Sequence, residues 1–140
     1  MTRGYGCHPF YTGVRGPCGD GWWHDGIDFA ADTGMPVFAV RDVVIRFAGA
    51  DTNSVDCSWI VGSQPPHTGF GNYVRAADGT GLVMDYGHVS SFTVVTGQQV
   101  ATSQQVAGMG STGCSTGSHL HFRVRHNGLD LDPMTILQQP

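Results

Sequence analysis

In Ser118-His119-Leu120-His121-Phe122-Arg123-Val124-Arg125, polar and apolar residues alternate without a break from His119 onward. Leu120, Phe122 and Val124 share one side of that alternation; His119, His121, Arg123 and Arg125 share the other. Successive side chains of a strand point to opposite faces, so the stretch predicts a β-strand over Leu120 to Arg125 with one apolar and one polar face. It sets two imidazoles side by side on the polar face.

Composition extends the β reading to the whole chain. Of 140 residues, 13% are charged; every basic residue is Arg and every acidic residue is Asp. Lys and Glu, which fill exposed helix faces, are absent, so a helix bundle or coiled coil is excluded. The 21 glycines favour turns between short strands. The expected fold is therefore all-β: a small antiparallel sheet folded over into a partly open barrel or sandwich, with long loops forming a groove. The formal net charge of −4 and the lack of a basic run argue against nucleic-acid binding. No apolar run approaches the ~20 residues that span a membrane.

Further strands are expected at Ile27–Ala30, Pro36–Val40, Val43–Ala48, Asn72–Ala76, Leu82–Tyr86, Phe92–Val95 and Gln105–Gly108. Asp78-Gly79 and Asn127-Gly128 are hairpin turn signals. Asp132-Pro133-Met134 opens a final helical turn with Pro at its first position. Residues 1–23 read as a Gly-, Pro- and Cys-rich loop segment with room for a short edge strand, and residues 49–70 as a long loop interrupted by Ser58-Trp59-Ile60-Val61. The whole of 1–140 is expected to be one domain. Its start, without an apolar leader, reads as a boundary within a larger protein.

Four cysteines, Cys7, Cys18, Cys57 and Cys114, lack the spacing of a zinc knuckle. An even count in a small Gly-rich chain favours disulfides and an oxidising compartment. Local pairing of Cys7 with Cys18, and of Cys57 with Cys114, is the expected connectivity.

Seven histidines are present, and their grouping carries chemistry. His119 and His121 on one strand face suit one metal ion, or a metal ligand beside a substrate-facing imidazole. His24-Asp25-Gly26-Ile27-Asp28 brings an imidazole and a carboxylate to a common face. With a further histidine they make an N/N/O set, the ligand number of a catalytic zinc site that keeps one position open. Asp25, next to His24, competes with Asp28 as ligand or as a partner behind the ligands. Tyr86-Gly87-His88 ends an expected strand and gains meaning only beside these two groups. His8, His67 and His126 read as structural or solvated. Arg123 and Arg125 read as solvated strand-edge residues, with substrate contact as the alternative.

His24-x-x-x-Asp28, Tyr86-x-His88 and His119-x-His121, in that order, resemble the lysostaphin/LytM-type zinc endopeptidases that cut peptidoglycan peptides. The resemblance extends to Gly4-Tyr5-Gly6-Cys7-His8-Pro9, to His24 through Ala31, to Thr33-Gly34-Met35-Pro36-Val37 and to Gly69-Phe70-Gly71-Asn72-Tyr73-Val74. Its most specific part is Gly113-Cys114-Ser115-Thr116-Gly117-Ser118-His119-Leu120-His121-Phe122, and it covers about residues 4–135.

The resemblance implies one Zn2+ per chain held by His24, Asp28 and His121, with His88 and His119 as catalytic histidines. Which of these two is the general base stays open. It implies bacterial peptidoglycan peptides as substrate and a zinc-activated water as nucleophile. It also implies an extracellular, cell-wall, periplasmic or virion-associated setting, as in a phage endolysin, and gives no reason to expect more than a monomer. The family's tyrosine before the first zinc histidine is missing. Gly21-Trp22-Trp23 stands there, and Tyr11 is the nearest upstream tyrosine. Tyr11, Trp22, Trp23, Phe70 and Asn72 are the candidate substrate contacts. The alternative is a non-catalytic, zinc-containing cell-wall-binding or regulatory module of the same fold.

Overall fold

The alternation that starts at His119 is built as strand β11, His119–His126, the centre of the molecule's main sheet. The computed structural model describes residues 4–8, 22–52 and 69–137, and for positions 7, 8, 22 and 23 the backbone alone. In chain order the strands are β1 (Gly6–His8), β2 (Trp22–His24), β3 (Gly26–Ala30), β4 (Pro36–Phe38), β5 (Val43–Ala50), β6 (Asn72–Ala77), β7 (Leu82–Gly87), β8 (Ser91–Phe92), β9 (Gln99–Val100), β10 (Gln105–Gly108), β11 and β12 (Leu129–Leu131). One helical turn, α1 (Met134–Leu137), follows.

Among the described residues, the main sheet has seven strands, ordered β12-β11-β7-β6-β5-β9, with β3 also paired to β11. All of its pairings are antiparallel. On one edge of β11 lie β3, opposite His119–Arg123, and then β12, opposite Val124–His126. On the other edge lies β7, opposite His121–His126. A second sheet, β4-β10-β8, has three strands, and β1 pairs with β2. The result is an all-β antiparallel architecture with an open main sheet, as the sequence implies, and not a closed barrel.

The main sheet is two-faced. Val74, Ala76, Met84, Tyr86, Leu120, Phe122 and Val124 are buried in one core, and Ile27, opposite Phe122, is fully buried. Val37, Val106 and Ala107 of the smaller sheet close over it. The intervening positions, Asp28, Arg75, Asp85, His121, Arg123 and Arg125, lie on the opposite face, as the two-residue period requires. Asp85 is wholly buried there, with Arg75 Nε at 2.7 Å and Arg125 Nη2 at 3.5 Å.

Local chemistry sets the turns. Asp78 Oδ1 accepts from the Thr80 N–H at 2.9 Å and closes the β6–β7 hairpin. Asn127 (φ 50°) and Gly128 (φ 84°) make the two-residue β11–β12 turn. Asp132 Oδ1 caps α1 by accepting from the Met134 N–H at 3.0 Å.

Two expectations need correction. The strand over Phe92–Val95 ends at Phe92, because Val95 enters a turn in which its N–H reaches Gln98 Oε1 at 3.1 Å, leaving it 68% exposed. The strand over Pro36–Val40 stops at Phe38. Strands β9 and β12, two and three residues long, had no pattern long enough to read. The interruption expected at residues 58–61 lies outside the described residues.

Candidate metal centre

The pairing of β3 with β11 sets Asp28 directly opposite His121. His24 ends β2 just before β3 begins, so its ring returns to the same spot. His121 Nδ1 lies 2.9 Å from Asp28 Oδ1 and 3.2 Å from His24 Nε2. His24 Nε2 lies 3.3 Å from Asp28 Oδ1. Bonds of ~2.0–2.1 Å at tetrahedral angles separate neighbouring ligand atoms by roughly 3.3 Å. The three atoms thus already stand at the edges of a zinc tetrahedron, and all three residues are buried. The donor set of two imidazole nitrogens and one carboxylate oxygen fits zinc with a position left open. Among the described residues this is the one cluster of His, Cys, Asp and Glu with metal-binding geometry.

Gly26 is part of the reason the cluster closes. A Cβ there would collide with the Phe122 carbonyl oxygen and come within 3.0 Å of the His121 ring. Only glycine lets the start of β3 run this close to the imidazole.

His119 follows from the strand period. Two residues before His121 on the same face, its Nε2 lies 3.7 Å from Asp28 Oδ1. His88 arrives from β7, whose last residue, Gly87, is opposite His121. Its backbone is left-handed, φ 64°, a conformation costly for a residue with a Cβ and concentrated at functional sites. This bend brings the His88 ring to 4.7 Å from that of His119 and 6.0 Å from that of His121.

Each of the four imidazoles is tethered by one nitrogen. His24 Nδ1 donates to the Gly4 carbonyl at 2.8 Å, His88 Nδ1 to the Thr112 carbonyl at 2.7 Å and His119 Nδ1 to the Gly117 carbonyl at 2.8 Å. A carbonyl only accepts, so the proton sits on Nδ1 and the lone pair on Nε2. His121 is reversed: its Nε2 contacts Asp25 Oδ1 at 2.8 Å, leaving Nδ1 for the cluster.

The electrostatics agree. Burial pushes the Asp28 carboxyl up, but the His121 and His24 rings set against it more than reverse this and hold it well below the carboxylate range. Asp25 is lowered in the same way, with His121 and Arg123 outweighing its burial. Burial lowers His121, yet the two carboxylates beside it raise it to about 9. Burial, then the neighbouring His119 and His121, lower His88 to about 3, so that ring is neutral at pH 7.

The remaining sequence candidates are placed as follows. The Phe70 ring lies 5.7 Å from the His121 ring, beside the cluster. Asn72 begins β6, with its N–H bound to Thr112 Oγ1 at 3.0 Å. Trp22 and Trp23 are in β2 by backbone, with side chains outside the description, and Tyr11 lies outside the described residues. Cys18 and Cys57 also lie outside, as does the Cys7 side chain; Cys114 is disulfide-bonded. Arg123 and Arg125 are not solvated strand-edge residues: each is held by a carboxylate. Of the two places the sequence left open for Asp25, ligand or partner behind the ligands, the structure shows the second, against His121 Nε2. The carbonyl tethers leave no trace in sequence, since any residue supplies one.

The model of peptidase family M23 matches residues 23–133. The DD-carboxypeptidase/endopeptidase Mpg of Neisseria meningitidis is 34% identical over 133 residues, 95% of this chain and 25% of that protein. The glycyl-glycine endopeptidase ALE-1 of Staphylococcus capitis is 33% identical, over 97% of this chain and 33% of its own length. The catalytic domain of lysostaphin from Staphylococcus simulans superposes with a TM-score of 0.75 at 30% identity, covering 98% of this chain and 90% of that domain. The chain spans about a quarter to a third of the two curated relatives. The chain belongs to peptidase family M23.

Proposed function

We propose that this chain is a zinc-dependent endopeptidase that hydrolyses peptide bonds of bacterial peptidoglycan, in the stem peptide or the cross-bridge. The observation that carries the proposal is the near-tetrahedral convergence of His24 Nε2, Asp28 Oδ1 and His121 Nδ1 beside two more tethered imidazoles. When bound, zinc supplies Lewis acidity, lowering the pKa of a water towards ~7 and polarising the scissile carbonyl.

The chain's own residues do the rest. His24, Asp28 and His121 hold the ion. His88 and His119 both carry the lone pair on Nε2, away from their tethered Nδ1. One accepts a proton at Nε2 as water attacks the carbonyl carbon and later delivers it to the leaving amine. The other hydrogen-bonds the oxygen on which charge develops. The positive φ at His88 and the carbonyl tethers hold both rings in place before substrate arrives. Phe70, Asn72, Trp22, Trp23 and Tyr11 are the proposed substrate contacts. Cys57 is the proposed disulfide partner of Cys114, bracing the loop before His119, and Cys7 that of Cys18. Residues 1–140 form the catalytic domain, working at a cell wall: secreted, periplasmic or virion-associated.

Support at the family level comes from the names of the relatives, which include a glycyl-glycine endopeptidase and a DD-carboxypeptidase/endopeptidase. The test is digestion of purified sacculi of several cross-link types, with mass spectrometry of the fragments. New amino termini at one kind of peptide bond, lost on chelation and restored by zinc, are the expected result. Zinc uptake without release from any sacculus would instead make the chain a wall-binding or regulatory module.

A further inference from the structure

Asp25 stands between His24 and Gly26, the single residue that links β2 to β3. Its Oδ1 lies 2.8 Å from His121 Nε2, the ring atom turned away from the ligand cluster. Its Oδ2 lies 3.3 Å from Arg123 Nε. Arg123 is on the same face of β11 as His121, two residues on. The Arg123 guanidinium is held in turn by Asp130 of β12, through Nη2 at 2.8 Å and Nε at 2.9 Å. The four side chains form one line of alternating charge, Asp130–Arg123–Asp25–His121, running from the β11–β12 hairpin to the cluster. Asp130, Arg123 and Asp25 are partly exposed, at 28%, 24% and 33%, and His121 at the end of the line is 10% exposed.

We infer that Asp25 is a positioning residue for the metal ligand His121, braced by Arg123 and Asp130. The inference rests on His121 being a zinc ligand. The carboxylate accepts the Nε2 proton and thereby keeps the Nδ1 lone pair directed at the ion. A ligand imidazole whose other nitrogen is held by a carboxylate is both oriented and more basic. Arg123 occupies the second oxygen of Asp25, so the carboxylate does not rotate away from the ring. Asp28, in contrast, presents Oδ1 to the donor atoms of both histidines, which separates the two carboxylates by role. Arg123 is thereby committed to Asp25 and Asp130 rather than to substrate.

The experiment measures zinc affinity by competition with a chromophoric chelator, and the visible spectrum of the cobalt-substituted protein. It compares the wild-type chain with Asp25→Ala, Asp25→Asn and Asp130→Asn. Asp25→Ala is expected to weaken zinc binding about 10–100-fold and to shift the cobalt bands. Asp25→Asn keeps an acceptor oxygen for Nε2–H and is expected to recover a large part of that loss. Asp130→Asn is expected to weaken zinc binding less than Asp25→Ala. Wild-type affinity and an unchanged cobalt spectrum in both Asp25 variants would overturn the inference. If Asp25→Ala does not fold, Asp25→Asn and Asp130→Asn decide it, and wild-type affinity and spectra in both overturn it. A wild-type chain that takes up no zinc would overturn the metal centre itself, and the inference with it.

Discussion

Gly26 shows how one residue controls the centre. Its hypothetical Cβ meets the main chain of β11 as well as the His121 ring, so neither neighbour yields without moving a strand. Gly26→Ala is expected to destabilise the fold by about 1–3 kcal/mol and to weaken zinc binding, as read by thermal unfolding with and without zinc. His88→Ala and His119→Ala are expected to keep zinc and to lose at least ~10²-fold in hydrolysis rate. Loss of zinc in either would make that residue a ligand. Protons compete with the metal at His121, raised to about 9 in the metal-free protein. Its protonation stabilises that form fully below the ordinary ~6.5, and the gain is lost as pH rises through about 9. Asp25 and Asp28, both lowered, stabilise it above the ordinary carboxyl range and lose this as pH falls. Zinc must displace the His121 proton, so apparent zinc affinity should rise by about tenfold per pH unit between pH 6 and 8. A flat profile in chelator competition would contradict this ligand assignment.

At the scale of elements, β11 was legible because the unbroken alternation from His119 to Arg125 leaves one register compatible with a buried face. The same period placed His119 with His121 and carried Arg123 and Arg125 to that face. It did not show what the arginines meet, because Asp25, Asp85 and Asp130 come from other elements. Nor did it show β9 or β12, whose pairing is dictated by the strands beside them rather than by their own pattern. Yet β12 bears on the site, since its turn delivers Asp130 to Arg123. Gly128, at φ 84°, is where a Cβ is costly. Gly128→Ala is expected to destabilise by about 1–2 kcal/mol and to weaken zinc binding slightly through that path, as measured by chemical denaturation and chelator competition. Unchanged stability would show that the turn tolerates a side chain.

Across the whole molecule, the cluster ties together parts distant in sequence. His24 and His121 are 97 residues apart, and the Gly4 carbonyl on the His24 ring draws in the start of the described chain. A metal there should stabilise the fold by mass action, about 2.7 kcal/mol at free zinc a hundred times Kd. Chelation should therefore lower Tm, and zinc should restore it. That His24 and Asp28 would meet the His119–His121 face was legible from spacing, strand period and the family resemblance. The tethers behind them were not, because three of the four are backbone carbonyls brought near by folding. The measurement that goes most directly to the metal centre is zinc content per chain, by elemental mass spectrometry, with sacculus digestion on the same samples. It compares the wild type with Asp28→Ala and His119→Ala. The expected result is one zinc in the wild type and in His119→Ala, none in Asp28→Ala, and digestion by the wild type alone. Zinc retained at full stoichiometry by Asp28→Ala, or digestion by a zinc-free wild type, would contradict the assignment.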